Sequence, residues 1–248
     1  MKEGQFIPGI YNWCDRWCER CQYTPRCRVY EKEESRKQAN PDQDVWGTIS
    51  DSFQEALQLL HKAADEMGIS LELNQEESDR IMAEEKALDQ EVEKLPLHFL
   101  ADEYLDQGKD WIESKATKDY LLHLQSQVEI GTLQEKDVEQ MIKILDECLE
   151  VIQWYLFFVA VKIGRALREK IEGFWDDYPV EERGDLGTAK IAMIAIERSL
   201  VAWAKIYQLI PDDDQILHLL AKLEKMRRLL KEEFPDYSKF KRPGFDDN

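Results

Sequence analysis

The chain has little glycine and little proline, 11 and 8 residues in 248. No stretch of useful length alternates apolar with polar residues as a half-buried strand does. A β-rich architecture needs turn residues at short intervals, so these shortages exclude it, and the abundant Leu, Glu, Lys and Ala favour helix instead. Histidine is scarcer still, with four residues, none placed three positions after a glutamate. The Glu-x-x-His pair of ferritin-like dimetal bundles is therefore missing. So are a glycine-rich phosphate loop, a G-x-S-x-G elbow and an H-E-x-x-H zinc motif. Positive charge is in deficit, with 33 Lys and Arg against 51 Asp and Glu and a net charge of −18. A phosphate backbone would be repelled, which excludes a general nucleic-acid binder. The acidic surface serves solubility or recruits a basic partner. No apolar run reaches the ~20 residues of a spanning helix. The opening Met1-Lys2-Glu3-Gly4-Gln5 lacks the apolar segment of a signal peptide. The expectation is a cytoplasmic protein without a membrane partner, free of internal repeats and low-complexity blocks.

Cysteine is also sparse, but its placement is not even. Four of the five fall in Trp13-Cys14-Asp15-Arg16-Trp17-Cys18-Glu19-Arg20-Cys21-Gln22-Tyr23-Thr24-Pro25-Arg26-Cys27, spaced C-x3-C-x2-C-x5-C. A helix over 11–22 would set Cys14, Cys18 and Cys21 at i, i+4 and i+7 on one face. Thr24-Pro25 stops such a helix, because proline disfavours helical backbone in the residue before it. The chain then swings back to deliver Cys27 as a fourth ligand. Four thiolates suit a cubane [4Fe-4S] cluster or a tetrahedral zinc.

Structural zinc sites commonly take two separated C-x2-C pairs. Here all four cysteines lie in one short run with a single C-x2-C, a compression more typical of cubane clusters. The order is iron–sulfur first, zinc second, and local disulfides or free thiols third, since disulfides need an oxidising compartment. Arg16, Arg20, Arg26 and Arg28 fit a net negative centre of either kind. Trp13 and Trp17 would shield such a centre or pack on the body. The C-x2-C-x5-C end resembles the cluster loop of iron–sulfur DNA glycosylases, and the C-x3-C-x2-C start resembles the radical SAM motif. Radical SAM chemistry needs an open iron and a barrel of strands and helices. Cys27 closes the iron and the strands are absent, so that reading is set aside.

Gly9-Ile10-Tyr11-Asn12-Trp13-Cys14-Asp15-Arg16-Trp17-Cys18-Glu19-Arg20-Cys21 also resembles the opening of a family of uncharacterised bacterial proteins of similar length. Glu150-Val151-Ile152-Gln153-Trp154-Tyr155 and Ala195-Ile196-Glu197-Arg198-Ser199 resemble later stretches of it. The resemblance spans most of the chain and implies a bacterial setting. It supplies no mechanism.

Beyond the cysteines the chain reads as an all-α, antiparallel helix bundle, with the metal-binding segment at 1–40 and the bundle at 41–248. Tyr30 to Lys37 is a charged, solvated helix, and Asn40-Pro41-Asp42-Gln43-Asp44 a boundary turn. Trp46 to Met67 carries a stripe of Ile49, Phe53, Leu57, Leu60 and Ala64, closed by Gly68, with His61 on the surface. Asn74 to Lys94 is an acid-rich helix with an exposed face. Pro96 opens a segment with the core stripe Leu97, Leu100, Ala101, Tyr104 and Trp111, and Gly131 with Thr132 marks a turn. Lys136 to Glu172 is the longest pattern. Its middle, Val151 to Val161, is apolar almost all round, as a central bundle helix is. A connector over Gly173 to Gly187 leads to a helix over Ala189 to Ile210. Asp212-Asp213-Asp214 caps a last helix running to Glu233, and the tail after Pro235 is expected to pack loosely. These add up to five or six helices.

Two polar readings compete inside the bundle. Glu150, Gln153 and Glu197 form a second metal site with His98 or Glu103, or they join a structural network with Lys190, Arg198 or Lys162. The network is favoured, because structural networks also perturb carboxylates. Cys148 lies mid-helix beside Glu147, where nothing lowers its pKa toward a nucleophile's. The functional expectation is a [4Fe-4S] protein with a redox or electron-transfer role and a protein redox partner. The alternative is an interaction protein whose zinc or cluster pins the N-terminal segment, which is too short to bury a core alone.

Overall fold

The computed structural model describes residues 6–41, 44–71, 74–211 and 213–246, with Val45 described in its backbone alone. Met1 to Gln5, Asp42, Gln43 and Asp212, on which parts of the sequence reading fall, lie outside the described residues. The chain forms two compact units, Met1–Ala87 and Leu88–Asn248. All regular structure among the described residues is helical, as the composition requires. No helix among them is long and apolar enough to cross a membrane.

The first unit holds the cysteine segment, α1 (Arg28–Ala39), α2 (Val45–Met67) and most of α3 (Gln75–Glu93). Capping explains the starts and stops. Asp44 accepts from the Gly47 N–H at 2.7 Å, and Gly68 ends α2 in the left-handed conformation, φ 67°, which glycine adopts without steric cost. Asn74 and Glu77 form a reciprocal capping box, the side chain of each accepting from the other's N–H, at 2.8 Å and 3.3 Å. α1 joins α2 through polar groups: Lys32 to Glu55 at 3.4 Å, Arg36 to Ser52 at 2.8 Å, and Arg36 to Glu55.

This pairing changes the reading of the α2 stripe. Ile49, Phe53, Leu57 and Leu60 are exposed, and only Ala64 is buried. The periodicity located the helix correctly, but α1 buries no residue of its own and offers α2 no apolar face within the unit.

The second unit is a bundle of α4 (Pro96–Glu113), α5 (Ala116–Glu129), α6 (Glu135–Glu172), α7 (Gly184–Leu209) and α8 (Asp214–Glu233). Side-chain pairs fix the directions. Thr188 donates to Glu169 and Arg198 to the Tyr155 hydroxyl, so α6 and α7 run antiparallel. Lys222 meets Glu103 and Trp111 meets Asp213, so α4 and α8 do too. Leu156 lies against Gly108 and His98 against Gly164, making α4 antiparallel to α6. A Cβ at Gly108 would stand 2.4 Å from Leu156 Cδ1, so the missing side chain lets these two helices approach.

The core between these helices contains Tyr104, Trp111, Leu145, Ile152, Tyr155, Ile163, Ile196, Trp203, Ile206 and Leu223, all nearly or wholly buried. The Trp111 and Trp203 rings meet edge to face at 5.0 Å, a favoured aromatic geometry. Trp203 Nε1–H donates to the Tyr104 hydroxyl at 3.1 Å and Trp111 Nε1–H to Asp213 at 2.8 Å. Both indole donors are thereby satisfied, as burial demands. Burial pushes the Tyr104 phenol up to about 12.

Four expectations are corrected here. The apolar middle of α6 is not enclosed all round, since Gln153, Trp154, Phe157 and Val161 are exposed. A separate helix, α5, follows a break at Ser114 and Lys115, where the sequence reading placed no boundary before the turn at Gly131 and Thr132. α7 begins at Gly184 rather than Ala189, because Asp185 is buried in its first turn and bound by Arg183 at 2.9 Å. The tail is not loose. Phe234 and Phe240 are buried, and Lys190 donates to the Phe240 carbonyl and to Asp246, both at 2.7 Å. Arg242 grips the same carboxylate at 2.9 Å.

Candidate metal-binding loop

The segment before α1 is a closed loop. The Ile7 N–H donates to the Arg26 carbonyl at 3.0 Å, which brings its two ends together just before Cys27. Ile7, Ile10 and Trp17 are buried beneath it, and the Arg20 guanidinium lies 4.0 Å over the Trp17 ring. Gly9, at φ 72°, allows the turn that feeds Ile10 inward.

The helical expectation for 11–22 does not hold. Three single 3-10 turns stand there and just beyond, Ile10–Asn12, Cys18–Arg20 and Thr24–Arg26, so Cys14, Cys18 and Cys21 do not share an α-helical face. The break has a local cause. Asp15 turns its carboxylate onto the Trp17 N–H at 3.3 Å, a side-chain bond that competes with helix. Arg16 beside it takes φ 59°, the only positive φ outside glycine among the described residues.

The Tyr23 N–H donates to Cys21 Sγ at 3.4 Å. All four loop cysteines are free of disulfides and half-buried. Burial first, then the charges of Glu33, Cys14, Cys27 and Cys21, pushes the Cys18 thiol up to about 11. Burial also raises Cys14, against the Arg16 amide and the Arg16 charge, which lower it. The four sulfurs thus lie within electrostatic reach of Cys18. The Cys14 thiol points to the Tyr11 carbonyl at 3.7 Å. Among the described residues no three His, Cys, Asp or Glu side chains stand together in a metal-holding group. The four-sulfur donor set, free of disulfides, and the Tyr23 amide on Cys21 fit a thiolate-bound centre. The convergence of the sulfurs is what metal binding would add.

The second group of sequence candidates is spread over the bundle. Glu150, Gln153 and Glu197 are exposed. Arg198 on Tyr155 sets the α6–α7 register, which leaves Glu150 about 7.5 Å along the axis from the level of Glu197's neighbour. Glu103 pairs with Lys222 at 2.6 Å, and His98 Nδ1 lies 3.2 Å from Asp102. Lys190 serves the tail, and Lys162 lies over Phe158 at 5.3 Å. Cys148 is buried in α6, and burial raises its pKa.

Sequence reasoning missed two polar groups at the start of α7. Arg183 bridges Asp176 at 3.1 Å and the buried Asp185, and Thr188 donates to Glu169 at 2.9 Å. Arg183-Gly184-Asp185 reads as a turn in sequence, and only the buried position of Asp185 marks it as an anchor. No protein-family model, curated protein or solved structure matches the chain.

Proposed function

We propose that Cys14, Cys18, Cys21 and Cys27 hold a [4Fe-4S] cluster and that the protein serves a redox or electron-transfer role with a protein partner. The observation that carries this reading is the Tyr23 N–H donated to Cys21 Sγ at 3.4 Å, in a loop whose four cysteines are all free of disulfides. An amide aimed at sulfur favours thiolate over thiol, and such bonds tune the potential of a cluster. The cubane is preferred to zinc because all four cysteines come from one short run.

The chain's own residues would ligate, position and shield. Cys21 would enter as the hydrogen-bonded ligand, and Cys14, Cys18 and Cys27 as the others. Trp17 and Ile10 form the apolar floor, and the exposed Arg16, Arg20 and Arg26 offset negative charge. A bound cluster would supply a one-electron couple.

A second reading has support of its own. The Ile7–Arg26 bond and the buried Trp17 give a segment whose folding metal binding would complete, and a structural zinc or cluster would do that equally well. Iron, sulfide and zinc assays on protein purified without oxygen separate the metals. A redox titration then separates an electron carrier from a structural pin.

A further inference from the structure

Trp46, Ile49, Phe53, Leu57 and Leu60 form one apolar stripe along α2, and all five are exposed. Trp46 is 77% exposed, Phe53 63%, Ile49 and Leu60 52% each, and Leu57 38%. Their spacing of three or four residues keeps them within a sector about 80° wide. A surface helix ordinarily turns such a stripe toward a core. The bonds that hold α1 fall elsewhere on α2. Ser52 and Glu55, which meet Arg36 and Lys32, stand roughly 100° and 160° round the helix from Phe53. α1 therefore takes the polar side and leaves the stripe open.

Area and charge together say what could cover it. At roughly 180–250 Å² for a whole residue of these types, the five present about 600 Å² on one chain. Two copies face to face would remove about 1,200 Å², the size at which stable interfaces begin. A chain of net charge −18 resists self-association wherever its carboxylates meet. The rims of this stripe are Ser50, Ala56, His61 and Ala63, and none is acidic. Asp51, Glu55, Lys62, Asp65 and Glu66 all stand roughly 120° or more from the stripe's centre. A second copy thus meets no like charge here, and a strongly charged partner would find no countercharge.

We propose that α2 is a homodimerisation helix, its stripe packed antiparallel on the same stripe of a second copy about a two-fold axis passing Phe53. The two stripes then overlap without remainder. Trp46 comes to the level of Leu60 on the other copy, Ile49 to that of Leu57, and the two Phe53 rings meet at the axis. Every member gains an apolar partner, as a closed isologous contact requires. The antiparallel arrangement also sets the two helix dipoles against each other favourably.

The test is sedimentation equilibrium of the full chain in reducing buffer, at chain concentrations from ~1 to ~100 μM. The expected result is a monomer–dimer equilibrium with Kd at or below about 10 μM. Phe53→Glu sets two carboxylates face to face at the axis and should weaken the dimer about 30-fold or more. Leu60→Glu should weaken it as well, and adding Trp46→Lys to that variant should recover part of the loss, because antiparallel pairing brings each lysine to a glutamate. Gln58→Glu, the same charge change at an exposed position on the polar side, should leave the dimer unchanged. Far-UV circular dichroism verifies that the variants fold. A monomer at every concentration would overturn the proposal, and is the result expected if the stripe docks within its own chain or on a different protein. A dimer untouched by Phe53→Glu, or weakened equally by Gln58→Glu, would overturn it too. No recovery in Trp46→Lys/Leu60→Glu would overturn the antiparallel pairing.

Discussion

Arg16 holds a left-handed backbone, φ 59°, between Cys14 and Cys18, and its carbonyl accepts the Cys18 N–H at 3.0 Å. A residue with a Cβ gives up roughly 1–2 kcal/mol in that region. Arg16→Gly should therefore keep the turn and relieve the strain, retaining metal with unchanged or slightly higher thermal stability of the metal-bound protein. Arg16→Pro fixes φ near about −65°, which the turn does not allow, and metal content should fall. Equal metal in both variants would show that the left-handed turn has no part in binding.

The cysteines divide into loop and core. Cys14→Ser and Cys21→Ser should lose metal, while Cys148→Ser, buried in α6 of the other unit, should retain it. Metal analysis per chain checks this. Full metal in both loop variants would contradict the assignment.

The bundle core gives a prediction independent of metal. Tyr104→Phe leaves the Trp203 indole N–H, now bonded at 3.1 Å, buried without an acceptor. The cost should be about 1–2 kcal/mol, read from urea unfolding of the full chain. No change in midpoint would mean that this bond contributes nothing net.

The tail should release in acid. Burial raises the Asp246 pKa, but the Arg242 and Lys190 hydrogen bonds outweigh it and hold the carboxyl well below the usual range. A depressed folded-state pKa stabilises fully above the unfolded value, near about 4, and that contribution is lost as pH falls from there through the folded value. Amide exchange over 234–246, taken relative to the intrinsic rate at each pH, should be strongly protected at neutral pH and lose protection below about pH 4. Asp246→Asn should show the faster exchange already at neutral pH.

The fold was legible where local rules govern. Gly68, Pro96, Gly173 and the apolar stripe of α4 placed helix ends and core correctly, because caps and periodicity are properties of neighbouring residues. What escaped depends on distant partners. The α2 stripe was read as an amphipathic helix face, yet whether Phe53 is buried depends on what packs against it, and it is exposed. Lys190 read as a partner for Glu197, but it reaches the tail, and the resulting anchor ties distant segments. The cysteine spacing drew attention to four thiols that the structure leaves free of disulfides in one loop. The helix imagined for them failed on one residue, since nothing about an arginine announces a positive φ.

The measurement that tests the account most directly is the metal content and visible spectrum of full-length protein purified without oxygen. The account predicts a brown protein with a broad band near ~400 nm and about four irons and four sulfides per chain, lost in Cys14→Ser. A colourless protein with about one zinc would contradict the cluster and make the loop a structural clip. A protein with neither metal would contradict the metal site altogether.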